Sequence, residues 1–252
     1  MSAHDDWPVG RVTILALFVT ALVTAQLTAS KVLAIPLPTA LPRIGATITL
    51  PGAALAYALT FFASDCYAEL YGRRAAQVMV NVAFAMNFVL LALVWSTILA
   101  PASANSPVAP DQFAAVLGAS TNIVVGSLLA YLVSQNWDVI VFHRLREATD
   151  GDYLWLRNIA STATSQAIDT VIFVGVAFYL LPQYVSIGSP TPWNVVVTLM
   201  IGQYLLKLLI ALLDTPFVYA VVGVVRSRAD AAAKAAATAA ADDRAATVDD
   251  EF

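Results

Sequence analysis

Long apolar runs, separated by short polar or proline-containing segments, dominate the chain from its first residues to about position 225. Six of these runs reach about 20 residues, the length that crosses the hydrocarbon core of a bilayer as a helix. They cover residues 12–33, 51–71, 75–100, 113–142, 157–181 and 193–225. We therefore predict an all-α polytopic membrane protein, with six transmembrane helices forming one bundle within residues 1–228.

The composition supports this class. Of the 252 residues, 60% are hydrophobic and 12% are charged, whereas soluble domains are usually about 45–50% apolar and about 25% charged. The first six residues are acidic where a secretory signal would be basic, so we expect the first span to be retained. Residues 229–252 are rich in alanine and aspartate, and we expect an acidic, disordered or partly helical cytoplasmic tail.

Prolines and basic residues together predict the topology. Prolines mark the connections between spans one and two, three and four, and five and six, which we therefore expect to be loops. These three connections contain one basic residue, Arg43, and the other side holds ten. The positive-inside rule then places both termini in the cytoplasm of a multi-pass cell-membrane protein. The ten are Arg11, Arg73, Arg74, Arg144, Arg146, Arg157, Arg226, Arg228, Lys234 and Arg244.

Asp169 is the most unusual residue of this pattern, because it lies near the middle of the fifth apolar run. A carboxylate at that depth costs about 2.5–3.5 kcal/mol on insertion scales, so it normally faces a bundle interior or a substrate pathway. Ser165 and Gln166 lie one helical turn before it and extend a polar stripe. Lys207 lies at a comparable depth in span six. Two hypotheses remain for this lysine: a structural ion pair with Asp169, or a gate that substrate or a proton opens.

Other polar residues within the spans are weaker candidates for a binding site. Asp65 in span two, and Gln135 and Asp138 in span four, could reach a shared interior, although the end of span four could equally be an amphipathic interfacial helix. Asn87 in span three is a pathway amide or a helix-packing contact, and packing is the more ordinary role. Gln26 in span one is the last candidate for the binding site.

Several classes of function find no support in the sequence. The single cysteine, Cys66, excludes an intramolecular disulfide and a multi-cysteine metal site. There is no metal-ligand cluster, nucleophile elbow or P-loop, so we expect neither an enzyme nor a bound cofactor or metal. With no large basic surface, nucleic acid is not expected as a direct partner.

Two strings carry a family resemblance: SDCYAELYG at 64–72 and WLRNIASTATSQAIDTVIF at 155–173. They resemble the signatures of the queuosine precursor transporter family, and the segment from Gln26 to Lys31 is similar to that family's first helix. The resemblance covers residues 16–219. It implies a six-helix inner-membrane importer of 7-cyano-7-deazaguanine and 7-aminomethyl-7-deazaguanine, precursors of the tRNA modifications queuosine and archaeosine.

The same family resembles the substrate-capturing subunits of energy-coupling-factor vitamin transporters, so a vitamin-binding subunit is the alternative hypothesis. An intramembrane enzyme with paired carboxylates is a third. Proton coupling, a homodimer and an ATPase module as partner all remain open.

The candidate residues match the chemistry of a deazaguanine. Its N1–H and exocyclic amine lie side by side, and one carboxylate, Asp169 or Asp138, can accept both. An amide from Gln166 or Gln135 can donate to the O6 edge, and Trp137 could stack on the ring. A site built from such hydrogen bonds rejects analogues that lack them, because its buried polar groups would stay unpaired.

Overall fold

The structure is a computed structural model that describes residues 9–41, 45–150, 152–184 and 189–249. Helices dominate it, with one two-stranded sheet near the start. In chain order the elements are α1 (Val9–Thr28), β1 (Val32–Leu41), β2 (Gly45–Pro51), α2 (Ala54–Tyr71), α3 (Arg73–Leu99), α4 (Pro110–Gly118), α5 (Ser120–Ala148), α6 (Leu154–Val174), a π-helical segment (Gly175–Leu180), α7 (Leu181–Tyr184) and α8 (Trp193–Asp249).

Five helical segments of the described chain are long and apolar enough to cross a membrane: Val9–Thr28, Arg73–Leu99, Pro110–Ala148, Ile159–Tyr184 and Trp193–Ser227. The chain is therefore a predominantly α-helical polytopic membrane protein. Helix α2 has sufficient length, but it contains two carboxylates and three tyrosines, which lower its mean hydropathy. Its crossing of the membrane, and hence the count of six spans, stays a prediction.

The first predicted loop is instead an antiparallel β-hairpin, in which Val32 pairs with Pro51 and Ile35 with Ile48. Residues Thr47 to Leu50 in β2 alternate between polar and apolar, and the first three are β-branched, which favours a strand. The register becomes irregular after Pro36, because a proline has no N–H for the ladder. Helix α1 correspondingly ends at Thr28 and not at residue 33, so Lys31 lies in the connection to the hairpin. Arg43 lies outside the described residues.

Close backbone approach fixes the hairpin to the bundle. Gly202 in α8 packs directly against the carbonyl of Thr49, and a Cβ at this glycine would collide with it. At the base of the hairpin, the Gly52 N–H donates to the carbonyl of Lys31 at 2.5 Å. The hairpin is therefore anchored where α1 ends and α2 begins.

Most other boundaries follow from prolines and one glycine. Gly72 separates α2 from α3 with φ of 87°, a conformation that favours glycine. Helix α3 ends at Leu99, before Pro101, and α4 begins with Pro110. By contrast, Pro182 lies in α7 and not in a loop, because α6 continues through the π-helical segment. Helix α8 passes the predicted boundary at residue 228 without a break.

The main buried core joins α1, α5, α6, the π-helical segment and α8. Its most buried members include Val174, Val196 and Leu199. Gly126 allows α5 to approach the π-helical segment closely, since a Cβ there would lie 2.9 Å from the Cβ of Ala177. This packing holds α5, α6 and α8 together on one side of an internal cavity.

Candidate functional site

An internal cavity of about 270 Å³ lies among α1, α2, α3, α5, α6 and α8. Four of the residues predicted for a binding site line it: Gln26, Gln135, Gln166 and Asp169. The remaining lining is mostly apolar and aromatic. Ligand sites are usually apolar pockets with a few polar groups that fix orientation, and this cavity has that character.

The central charged contact joins Asp169 and Lys207. The Lys207 Nζ donates to Asp169 Oδ2 at 2.5 Å. The side chain of Lys207 is 3% exposed, and that of Asp169 is 18% exposed. Lys207 Nζ also lies 5.6 Å from the centre of the Tyr57 ring. The predicted ion pair is therefore present, and it neutralises the carboxylate in the cavity wall.

Two serine–carboxylate contacts cross between α5 and α6. The Ser134 hydroxyl donates to Asp169 Oδ1 at 3.3 Å, and the Ser165 hydroxyl donates to Asp138 Oδ1 at 3.3 Å. Each serine lies one turn from the carboxylate on its own helix, so the two contacts form a reciprocal pair. Ser134 and Asp169 line the cavity, whereas Ser165 and Asp138 lie outside its described lining.

Four glutamines from four helices line the cavity, namely Gln26, Gln135, Gln166 and Gln203. Gln26 is buried, and its Oε1 accepts from the Ser127 hydroxyl at 3.5 Å. The Oε1 atoms of Gln166 and Gln203 are buried without a hydrogen-bond partner in the described structure. Buried polar atoms almost always have a partner, so a rotation of either amide toward the cavity would let its oxygen bind a polar ligand or water.

The aromatic lining comes from residues that the sequence did not single out. Phe84 and Tyr131 stack with ring centroids 4.4 Å apart and planes inclined by 20°. The Tyr131 hydroxyl donates to Asn81 at 3.0 Å and accepts from Gln77 at 2.8 Å. We call this three-residue arrangement the hydroxyl clamp. It holds one aromatic wall of the cavity in place.

A second aromatic pair lies on α2, where Tyr57 and Phe61 meet edge to face with centroids 4.9 Å apart. Residues four apart on a helix lie on the same face, so the sequence alone could have predicted that these two rings are neighbours. Trp137, predicted to stack on the ligand, lies elsewhere. It is 42% exposed, and its Nε1 donates to Thr164 at 3.2 Å, outside the cavity lining.

The remaining predicted residues lie away from the cavity. Asp65 is exposed and lines a separate groove between α2 and α8, together with Glu69 and Arg226. Glu69 pairs with Arg226 at 3.3 Å. Asn87 is buried, and neither of its amide atoms has a hydrogen-bond partner in the described structure. Within the described ranges no His, Cys, Asp and Glu side chains group as metal ligands.

Comparison with known proteins points to one family. Residues 51–221 match the family profile described as "Putative vitamin uptake transporter". The chain is also similar to a "Probable queuosine precursor transporter" from Bacillus subtilis (strain 168), with 35% identity over 177 residues. That alignment covers 70% of this chain and 72% of the relative. No solved structure matches the chain.

Proposed function

The chain belongs to the family described as "Putative vitamin uptake transporter", and from this premise we propose that it imports 7-deazaguanine precursors of queuosine. The Bacillus relative is named a "Probable queuosine precursor transporter", which supports transport of queuosine precursors as the coarse function of this chain. The specific substrates of the proposal are 7-cyano-7-deazaguanine and 7-aminomethyl-7-deazaguanine, for use in tRNA modification.

The observation that carries the proposal is the joint presence of a carboxylate, glutamine side chains and stacked aromatics in the lining of one cavity. Asp169 can accept the N1–H and the exocyclic amine of the base, because an ionised carboxylate offers about four lone-pair sites. The buried Oε1 atoms of Gln166 and Gln203 have no hydrogen-bond partner in the described structure, and after a rotation of their amides they can accept the remaining N–H donors of the base. The Phe84–Tyr131 wall offers a flat face for the ring.

The size of the cavity agrees with a small flat guest. Ligand pockets usually measure about 300–1,000 Å³, and the present volume of about 270 Å³ lies just below that range. A bicyclic base is a better match than a large cofactor.

Uptake by cells that cannot make 7-deazaguanines tests the proposal. Such cells should accumulate labelled 7-cyano-7-deazaguanine, and should regain queuosine in tRNA, only when they express the chain. The Asp169→Asn variant should abolish uptake at equal membrane abundance, whereas Asp111→Asn, at the exposed start of α4, should not. Uptake that persists in Asp169→Asn cells would contradict the central role of this carboxylate.

A vitamin-binding subunit of an energy-coupling system is the second candidate, because the description of the family names vitamins. The two candidates differ in their source of energy. Co-purification with an ATPase module, and uptake that stops on ATP depletion but survives loss of the proton gradient, would favour the subunit. Uptake that stops on loss of the proton gradient but survives ATP depletion would favour a proton-coupled importer.

The topology belongs to the same proposal: α2 forms the sixth span, and both termini lie in the cytoplasm. Cys66 is the only cysteine, so a Cys66→Ser background allows single cysteines to be placed at will. A cysteine in the segment 101–109 should react with an impermeant thiol reagent in intact cells. One placed after residue 228 should react only after the membrane is opened.

A further inference from the structure

The charge balance of the cavity is set by one ion pair. Asp169 is the only acidic residue of the described lining, which contains no lysine, arginine or histidine. Its charge is balanced by Lys207 at 2.5 Å, just behind the wall. The other polar groups that line the cavity are amides and hydroxyls. The binding site therefore combines an ionised carboxylate with a net charge of zero.

We infer that the cavity selects an electrically neutral base over a cationic one, and that Lys207 is the residue that sets this preference. The inference rests on the proposed function and deepens it. Of the two precursors, the 7-cyano base is neutral, whereas the 7-aminomethyl base carries a primary ammonium at neutral pH. The structure thus assigns 7-cyano-7-deazaguanine as the preferred substrate.

Desolvation is the physical reason. Moving an ammonium from water into a buried site is costly unless an opposite charge compensates it. The carboxylate that could do so is already engaged with Lys207, and Lys207 itself places a like charge beside that carboxylate. The buried amide oxygens of Gln166 and Gln203 can accept hydrogen bonds, but neutral ring N–H and amine donors satisfy them without bringing in a charge.

The test is binding of three bases to the purified full chain in lipid nanodiscs at pH 7, by calorimetry. The bases are 7-cyano-, 7-aminomethyl- and 7-hydroxymethyl-7-deazaguanine. The hydroxymethyl base matches the aminomethyl base in size but is neutral, so it separates charge from shape. We expect both neutral bases to bind about tenfold or more tightly than the cationic base.

Substitution of the lysine should then change the ranking. Lys207→Met leaves Asp169 without its counterion, and should raise the affinity for the aminomethyl base relative to the hydroxymethyl base by about tenfold. Lys207→Arg retains the charge and should retain the wild-type ranking. The Asp169→Asn/Lys207→Met double variant restores neutrality by removing both charges, so it too should not favour the cation.

Two results would overturn the inference while leaving the proposed function intact. One is a wild-type chain that binds the aminomethyl base as tightly as the hydroxymethyl base, a comparison that needs no variant to fold. The other is a Lys207→Met chain whose ranking matches the wild type. Binding of none of the three bases would instead overturn the proposed function, and this inference with it.

Discussion

Replacement of Asp169 by asparagine is the sharpest perturbation of the site, because the two side chains have nearly the same shape. Asparagine keeps one oxygen acceptor and exchanges the other for an NH₂ donor. A bound deazaguanine would lose one charge-assisted hydrogen bond, and the second would become a neutral one. Hydrogen bonds to charged groups contribute about 1.5–3 kcal/mol and neutral ones about 0.5–1.5 kcal/mol.

The expected loss is therefore about 2.5–4.5 kcal/mol of binding free energy, or roughly 60- to 1,600-fold in Kd at about 1.4 kcal/mol per tenfold. Calorimetry with 7-cyano-7-deazaguanine on protein in nanodiscs measures this directly. Asp111→Asn is the matched control, since its carboxylate is exposed on α4, and it should bind within about twofold of the wild type.

Folding has to be separated from recognition, because Asp169→Asn also leaves Lys207 buried without its partner. Breaking a buried pair from one side costs about 3–5 kcal/mol, whereas replacing both partners is often neutral. The Asp169→Asn/Lys207→Met double variant should therefore melt closer to the wild type than the single variant does, yet still bind the base weakly. A folded Asp169→Asn chain with wild-type affinity would refute the assignment of this carboxylate to ligand recognition.

Three further predictions concern the walls of the cavity and its surroundings. Gly202→Ala should destabilise the protein by about 1–3 kcal/mol, because its Cβ collides with a hairpin carbonyl. Gly223→Ala, with open space at that position, should not, and a thermal melt compares the two. Tyr131→Ala should weaken binding of the base by about 1–3 kcal/mol through lost stacking, whereas Tyr131→Phe, which loses only the hydroxyl clamp, should cost less than half as much. Trp137→Ala should leave Kd within about twofold, because this side chain lies outside the cavity lining; a tenfold loss would restore it as the stacking residue.

The polar members of the candidate site could be predicted from the sequence because each is a polar residue within an apolar span, where burial in lipid is costly. A carboxylate such as Asp169 within an apolar span has few tolerable environments, so its position alone indicates a bundle interior. The same logic found Gln26, Gln166 and Lys207, which line the cavity or pair with a residue that does.

The aromatic members could not be found in this way. Phe84 and Tyr131 are ordinary residues for a membrane span, and their inward orientation depends on how α3 and α5 are rotated in the bundle. The sequence predicts Trp137, a large aromatic beside Asp138, as the stacking residue, but its side chain is exposed and lies outside the cavity lining. The packing of the helices decides which aromatics face the cavity, and the sequence of a single span does not determine that packing.

The hairpin was missed for a related reason. Four prolines between the first two spans indicate a loop, and prolines are indeed excluded from helices and from central strands. A two-stranded hairpin has only edge strands, however, so Pro36 and Pro51 can both belong to it. The alternation of polar and apolar residues from Thr47 to Leu50 favours a strand. That strand has a partner only because the chain folds back and pairs it with β1.

The difference between Asp169 and Asp138 follows from position and not from chemistry. Both are carboxylates on the α5–α6 contact, and each accepts a serine hydroxyl from the facing helix. Only Asp169 lies level with Lys207 on α8, and only Asp169 reaches the cavity. The lysine places a positive charge beside that carboxylate and so lowers the cost of burying it. Hydrogen bonds to a charged oxygen are stronger than those to a neutral one, so under the proposed function this pair would bind two N–H donors strongly without adding a net charge to the cavity.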